Sequence, residues 1–250
     1  MKIIACYSNK GGVGKTATSV NLAYAFAAAG QRVLLCDLDP QGASSFYFRV
    51  KPSKKLTEAN FFEDVEKFTK AIRGSDYDNL DILPANMSFR EFDIFLSRMK
   101  DSRSRLKKAL AAVKGDYDVI LLDCPPNISA LSENVFRAAD AVLVPVIPTT
   151  LSQRTFEQLV DFFKANDLPL KKLHGFYGMV QGVKALHSET IEAMNHVYKK
   201  CFLTAQIPFA SDIERMGLHR APVMATAPKS GARKAYQALY EEVMQRISVA

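Results

Sequence analysis

Residues 8–16 read Ser8-Asn9-Lys10-Gly11-Gly12-Val13-Gly14-Lys15-Thr16, between the apolar run Ile3-Ile4-Ala5-Cys6-Tyr7 and a helical pattern that opens near Thr16. Glycines at 11, 12 and 14 allow a turn tight enough for successive backbone N–H groups to converge on a phosphate, and a helix start adds partial positive charge there. Lys15 is placed to reach β- and γ-phosphates, and the Thr16 hydroxyl to ligate Mg²⁺. The usual pattern GxxxxGK[ST] would put glycine at position 9, where Asn9 stands, with Lys10 one residue later. A ligand-free strand-to-helix turn is the competing reading, and Lys15-Thr16 beside three glycines speaks against it.

Outward from this loop, apolar runs alternate with helical patterns, the signature of a mostly parallel sheet covered on both faces. Strands are predicted at Lys2–Tyr7, Arg32–Cys36, Leu80–Leu83, Tyr117–Leu122, Ala141–Val146, His174–Val180 and Cys201–Ile207. Val119-Ile120-Leu121-Leu122 is apolar throughout, as in a strand buried on both faces. Helices are predicted over about 16–29, 61–72, 88–113, 129–138, 152–166, 188–199 and 229–247. With no long Pro/Gly/Ser-rich linker and no internal repeat, one α/β domain over residues 1–250 is expected.

The chain has 250 residues, of which 48% are hydrophobic and 24% charged, a globular composition that excludes wholesale disorder. Thirty-three Lys+Arg against 26 Asp+Glu leave a formal charge of +7, which favours polyanionic partners such as nucleic acid or anionic membrane. No apolar run approaches the roughly 18 residues a bilayer span needs, and the N-terminal run is too short for a signal peptide. Cys6, Cys36, Cys124 and Cys201 show no paired spacing and suit buried free thiols in a reducing compartment. His174, His187, His196 and His219 show no metal spacing. A cytoplasmic protein is expected.

Lys10-Gly11-Gly12-Val13-Gly14-Lys15-Thr16 resembles the deviant Walker A motif of the ParA/MinD ATPases. Cys36-Asp37-Leu38-Asp39-Pro40-Gln41-Gly42 looks like that family's DxDPQG segment, and Val119–Asp123 with Cys124-Pro125-Pro126 like its Walker B strand. The resemblance runs over nearly the whole chain and implies a single-domain P-loop ATPase using ATP and Mg²⁺. It implies nucleotide contacts from Lys10, Gly11, Gly12, Val13, Gly14, Lys15, Thr16 and Ala17, with Ile207 and Pro208 packed on adenine. Thr16, Asp39 and Asp123 would hold the metal, Asp123 through a water. Lys10, Lys15 and Asp39 would be the catalytic group. Asp39 would orient the attacking water, and Lys10 would cross a dimer interface to the partner's nucleotide. Asp37 is either a supporting carboxylate or an ordinary strand end.

Relatives use this switch in different ways. A ParA-type protein dimerises on ATP, binds DNA nonspecifically and positions a plasmid, chromosome or protein cargo, with hydrolysis stimulated by a ParB-like or cargo adaptor. The +7 balance fits this, since nonspecific affinity comes from Lys/Arg on phosphates. Lys184 matches a position where ParA relatives carry a DNA-binding arginine, and Arg215, Arg220, Lys229, Arg233 and Lys234 are further candidates. Phe209 and Asp212 replace arginines common after Ile-Pro. The alternative, MinD-type membrane positioning, needs an amphipathic tail beyond the last helix, and none is expected here. An iron–sulfur role, as in the iron protein of nitrogenase, needs two exposed cysteines past Asp123, which Cys124 and Cys201 do not supply. No helix-turn-helix precedes Lys2, so sequence-specific DNA reading is not expected. The run Arg98–Lys108 reads as a solvated helix face, or else a surface for a partner or DNA. A nucleoid-associated location follows from the ParA-type reading.

Overall fold

The computed structural model describes residues 1–248. Its strands are β1 (Lys2–Cys6), β2 (Val33–Asp37), β3 (Arg73–Gly74), β4 (Leu80–Leu83), β5 (Val119–Asp123), β6 (Ala141–Val146), β7 (Leu173–Val180) and β8 (Phe202–Pro208). They form one sheet in the order β3-β4-β2-β5-β1-β6-β7-β8, parallel except for β3. The seven predicted strands are present with ends shifted by a residue or two. The two-residue β3 is additional, being too short to leave a periodic signal.

The strands are apolar on both faces because both faces are covered. Alternation divides them between two cores. Ile3, Ala5, Leu34, Cys36, Ile120 and Leu122 face one layer, which receives Phe61, Phe92, Leu110, Phe136 and Phe163 from helices. Ile4, Cys6, Val33, Leu35, Val119 and Leu121 face the other, filled by Phe26 of the Lys15–Ala28 helix and by Tyr236 and Leu239 of the Gly231–Ser248 helix.

Two predicted helices are broken. The 61–72 segment divides into Glu58–Glu63 and Val65–Ala71, because the Asp64 side chain accepts the Lys67 N–H and starts a second helix. The 88–113 segment divides into Phe92–Arg98 and Arg105–Ala111 with short 3₁₀ turns, the chain reversing at Asp101 in the left-handed region (φ 55°). Arg98–Lys108 is therefore not one helix face: Arg103 pairs with Glu133 at 3.1 Å and Lys108 with Asp101 at 3.7 Å. Short helices at Ala43–Tyr47, Ser211–Glu214, Met216–His219 and Val223–Thr226 are additional.

β8 forms one edge of the sheet and is irregular, with two register shifts against β7. Glu242, from the Gly231–Ser248 helix, accepts the Thr204 N–H at 2.8 Å and the Ala205 N–H at 3.2 Å. All four cysteines are free, and Cys6, Cys36 and Cys124 are buried. No described helix is long and apolar enough to cross a membrane.

Candidate nucleotide site

In a parallel sheet, loops leaving the carboxyl ends of the strands converge, and ligands bind where the strand order reverses. Here β1, β2 and β5 deliver residues 8–16, Asp37–Gly42 and Asp123 to one such place. Gly12 (φ +71°) and Gly14 (φ +94°) lie in the left-handed region, which only glycine enters cheaply. A Cβ built on Gly11, Gly12 or Gly14 would meet nothing within 4 Å, so open space lies over the loop. Gly14 starts the Lys15–Ala28 helix, and no side chain caps that start. The first-turn N–H groups are left for an external acceptor.

Lys15 is buried, and its Nζ folds back to donate to the Lys10 carbonyl at 3.2 Å. Burial lowers its pKa, against the pull of Asp123, Cys124 and Asp39. Lys10 reaches sideways instead, its Nζ donating to Ser152 Oγ at 3.4 Å at the start of the Thr150–Ala165 helix of the same chain.

Asp123 is fully buried at the end of β5. It accepts from Ser44 Oγ at 2.7 Å and Ser19 Oγ at 3.2 Å. Burial pushes its pKa up, while the Ser44 and Thr16 hydroxyls and the Lys15 charge oppose that rise. Asp37 lies beside it in register on β2. Asp37 Oδ2 accepts from Ser45 Oγ at 2.6 Å and Ser45 N–H at 2.8 Å, while Oδ1 is buried with no hydrogen-bond partner among the described residues. Burial, and then the Asp123 charge, push the Asp37 carboxyl well above the usual range. Asp39 is half-exposed beyond β2, where its Oδ1 accepts the Gln41 N–H at 3.0 Å.

A cleft opens beside the loop. Val13, Gly14, Ala17 and Thr18 line one wall, Ile207, Pro208, Phe209 and Ile213 the other, and Tyr236 lines it as well. Ile207 and Pro208 thus share one cavity with the glycine loop. The cleft is mostly apolar.

The basic candidates separate. Lys184, Arg215, Lys229 and Lys234 are exposed and Arg233 is half-buried. Arg220 is engaged internally: its guanidinium lies 4.5 Å from the Phe46 ring centroid, and Nε donates to the Phe46 carbonyl at 3.1 Å. Ser19, Ser44 and Ser45 were missed from sequence; Ser44-Ser45 follow Asp39-Pro40-Gln41-Gly42 after Ala43, with no pattern of their own. Asn21 was missed too. It is buried in the Lys15–Ala28 helix, where its Nδ2 reaches Met216 Sδ at 3.3 Å and its Oδ1 accepts the Met224 N–H at 3.1 Å.

Comparison with known proteins gives consistent results. A family model described as an AAA domain matches residues 1–172. The sporulation initiation inhibitor protein Soj of Bacillus subtilis is 32% identical over 249 residues, 97% of this chain and 98% of the relative. The chromosome partitioning protein ParA of Myxococcus xanthus is 29% identical over 251 residues, covering 97% of this chain and 88% of that one. Among solved structures, a cobyrinic acid a,c-diamide synthase from Mycobacterium smegmatis with bound ATP analog and magnesium superposes with a TM-score of 0.81 and 26% identity. That superposition covers 98% of this chain and 95% of the other.

Proposed function

The chain belongs to the AAA domain family and, within it, to the ParA/MinD ATPases, and from that membership we propose an ATP hydrolase whose nucleotide state controls dimerisation and nonspecific DNA binding. The observation that supports the nucleotide reading best is the convergence of an uncapped glycine-loop helix, a buried lysine and a buried carboxylate beside an apolar cleft.

The residues present fit Mg²⁺·ATP. The partnerless Asp37 Oδ1 and the buried Asp123 offer carboxylate oxygens whose charged form a bound cation would favour. A hydroxyl and one or two carboxylates, completed by phosphate oxygens and water, are a donor set that suits Mg²⁺. Thr16, Asp123 and Asp39 would hold the ion, Asp123 through a water. Once bound, it would neutralise charge on the transferring phosphoryl group. N–H groups of residues 11–16 cradle the phosphates, and Lys15 leaves the Lys10 carbonyl to meet them. Ile207 and Pro208 pack on the base. Asp39 orients the attacking water. Phosphoryl transfer needs positioning and electrostatics more than covalent chemistry, so this set suffices.

Lys10 is the residue that links hydrolysis to assembly. In the dimer it leaves Ser152 and reaches the partner's nucleotide, which makes ATP part of the interface. Lys184, with Arg215, Lys229, Arg233 and Lys234, then presents a doubled basic face to DNA phosphates. A ParB-like or cargo adaptor stimulates an otherwise slow hydrolysis and releases the complex, so repeated cycles position a plasmid, chromosome or protein cargo in the cytoplasm over the nucleoid. The relatives named as partitioning proteins support this over membrane positioning.

The test is binding of the full chain to random-sequence duplex DNA and to anionic vesicles, with ATP, with ADP and without nucleotide. DNA binding only with ATP is expected, weakening about 10³-fold between roughly 50 and 200 mM salt if six or more phosphates are contacted. Vesicle binding without DNA binding would instead select the MinD-type function.

A further inference from the structure

The five-residue helix Ala43–Tyr47 ties two distant parts of the chain together. Its first turn holds the site carboxylates: Ser44 donates to Asp123, and Ser45 donates to Asp37 through both Oγ and its backbone N–H. The helix begins at Gly42, in the left-handed region, immediately after Asp39-Pro40-Gln41. Its far end meets the C-terminal third. Arg220 lies over the Phe46 ring and donates Nε to the Phe46 carbonyl, which also accepts the Arg49 N–H at 3.2 Å, so the guanidinium adds a second donor at the end of the last turn. Arg49 adds a long contact from Nη1 to the His219 carbonyl at 3.5 Å.

The other anchor of Arg220 is firm. Residues 216–224 are fixed to the Lys15–Ala28 helix by Asn21, through Met216 Sδ and the Met224 N–H. Arg220 itself is held in the left-handed region at φ 49°, a conformation costly for a long side chain. A surface cation awaiting a phosphate needs none of this. A guanidinium that must both stack and donate from a fixed base does.

We propose that Arg220 is a positioning residue for the nucleotide site rather than a DNA contact: braced on the phosphate-loop helix, it clamps Phe46 and so sets the turn that carries Asp39. This rests on the nucleotide reading above and removes Arg220 from the DNA surface. Shifting Ala43–Tyr47 would displace Asp39 and both serine contacts together, and sub-ångström misplacement of a water-orienting carboxylate is felt mainly in turnover.

The experiment uses the full chain with Arg220→Ala, Arg220→Lys and Phe46→Leu, the last at a side chain 48% exposed and so tolerant of change. Three quantities are read: kcat and KM for ATP, affinity of the ATP-loaded protein for random-sequence duplex, and backbone amide exchange across residues 43–50 without nucleotide. Arg220→Ala and Phe46→Leu are expected to lower kcat about tenfold, leave KM and DNA affinity within about twofold, and speed exchange at Phe48, Arg49 and Val50. Arg220→Lys should recover part of kcat, since lysine can sit over the ring but lacks the guanidinium fork. DNA affinity falling about tenfold with kcat unchanged would make Arg220 a phosphate contact and overturn the proposal. Unchanged kcat and unchanged exchange would overturn it as well. If the unaltered chain neither binds nor hydrolyses ATP, the nucleotide reading fails, while faster exchange in Arg220→Ala would still establish the clamp.

Discussion

Asp37 and Asp123 stand in register at the ends of adjacent parallel strands, both buried, each held by a different serine of one helical turn. Like charges so placed disfavour each other, and the nearest buried counter-charge named by the geometry is Lys15, now folded onto the Lys10 carbonyl. Burial, and then the Asp123 charge, push the Asp37 carboxyl up, and the Ser45 hydroxyl supplies a hydrogen bond that opposes the rise, as the Ser44 hydroxyl does at Asp123.

Lys15→Ala is expected to abolish nucleotide binding. It removes the only buried lysine among the described residues and leaves Asp123 more poorly compensated. Calorimetric titration with ATP and Mg²⁺ checks this. Binding as tight as that of the unaltered chain would refute the phosphate assignment of Lys15.

Asp39→Ala is expected to bind ATP yet fail to turn it over, with kcat reduced by about 10²-fold or more, the range for loss of a water-positioning group. Among the described residues Asp39 bonds only within its own turn, through Gln41 N–H to Oδ1 and Gly42 N–H to its carbonyl, so folding should survive. Trapped ATP should prolong the DNA-bound form, measurable as slower dissociation. Normal turnover would leave Asp39 without a catalytic role.

Lys184→Glu is expected to weaken DNA binding and flatten its salt dependence while ATP-driven dimers persist. The side chain is exposed and caps no helix start by hydrogen bond. Reversing one phosphate contact should lower the salt slope by about one to two. Sedimentation with ATP would expose a structural role if dimers were lost.

His174 gives a pH prediction. Burial and then Arg246 lower its pKa from 6.5 to about 4, and its Nδ1 has no partner among the described residues. The unfolded chain takes up a proton near pH 6.5 that the folded chain refuses until about pH 4. Stability from this group is thus complete above pH 6.5 and lost as pH falls towards 4, by about 3 kcal/mol. His174→Phe should flatten that part of the melting-temperature profile. An unchanged profile would show that His174 does not govern it.

Much of this architecture was legible because its signals are local. Three glycines before Lys15-Thr16 declare a phosphate loop, and strands such as Val119–Leu122 are apolar on both faces because helices cover both. The Asp101 reversal was hidden because Leu96 and Leu106 sit at spacings a continuous helix also satisfies. Ser44 and Ser45 carried no pattern either. Their importance comes from which carboxylates the sheet register sets beside them, and register between β2 and β5 is a long-range property. Arg220 read as one cation among several, since nothing in its neighbourhood in sequence points to Phe46, 174 residues away.

The edge at β8 bears on crowding. A regular outer strand offers a row of free N–H and C=O groups to any neighbour, the usual route to runaway stacking. Here the strand is irregular and a carboxylate from Glu242 already occupies the N–H groups of Thr204 and Ala205. Molecules packed shoulder to shoulder along a polymer would find that flank closed to strand exchange. High local density then need not end in fibres, and contact between copies is left to surfaces that can also let go.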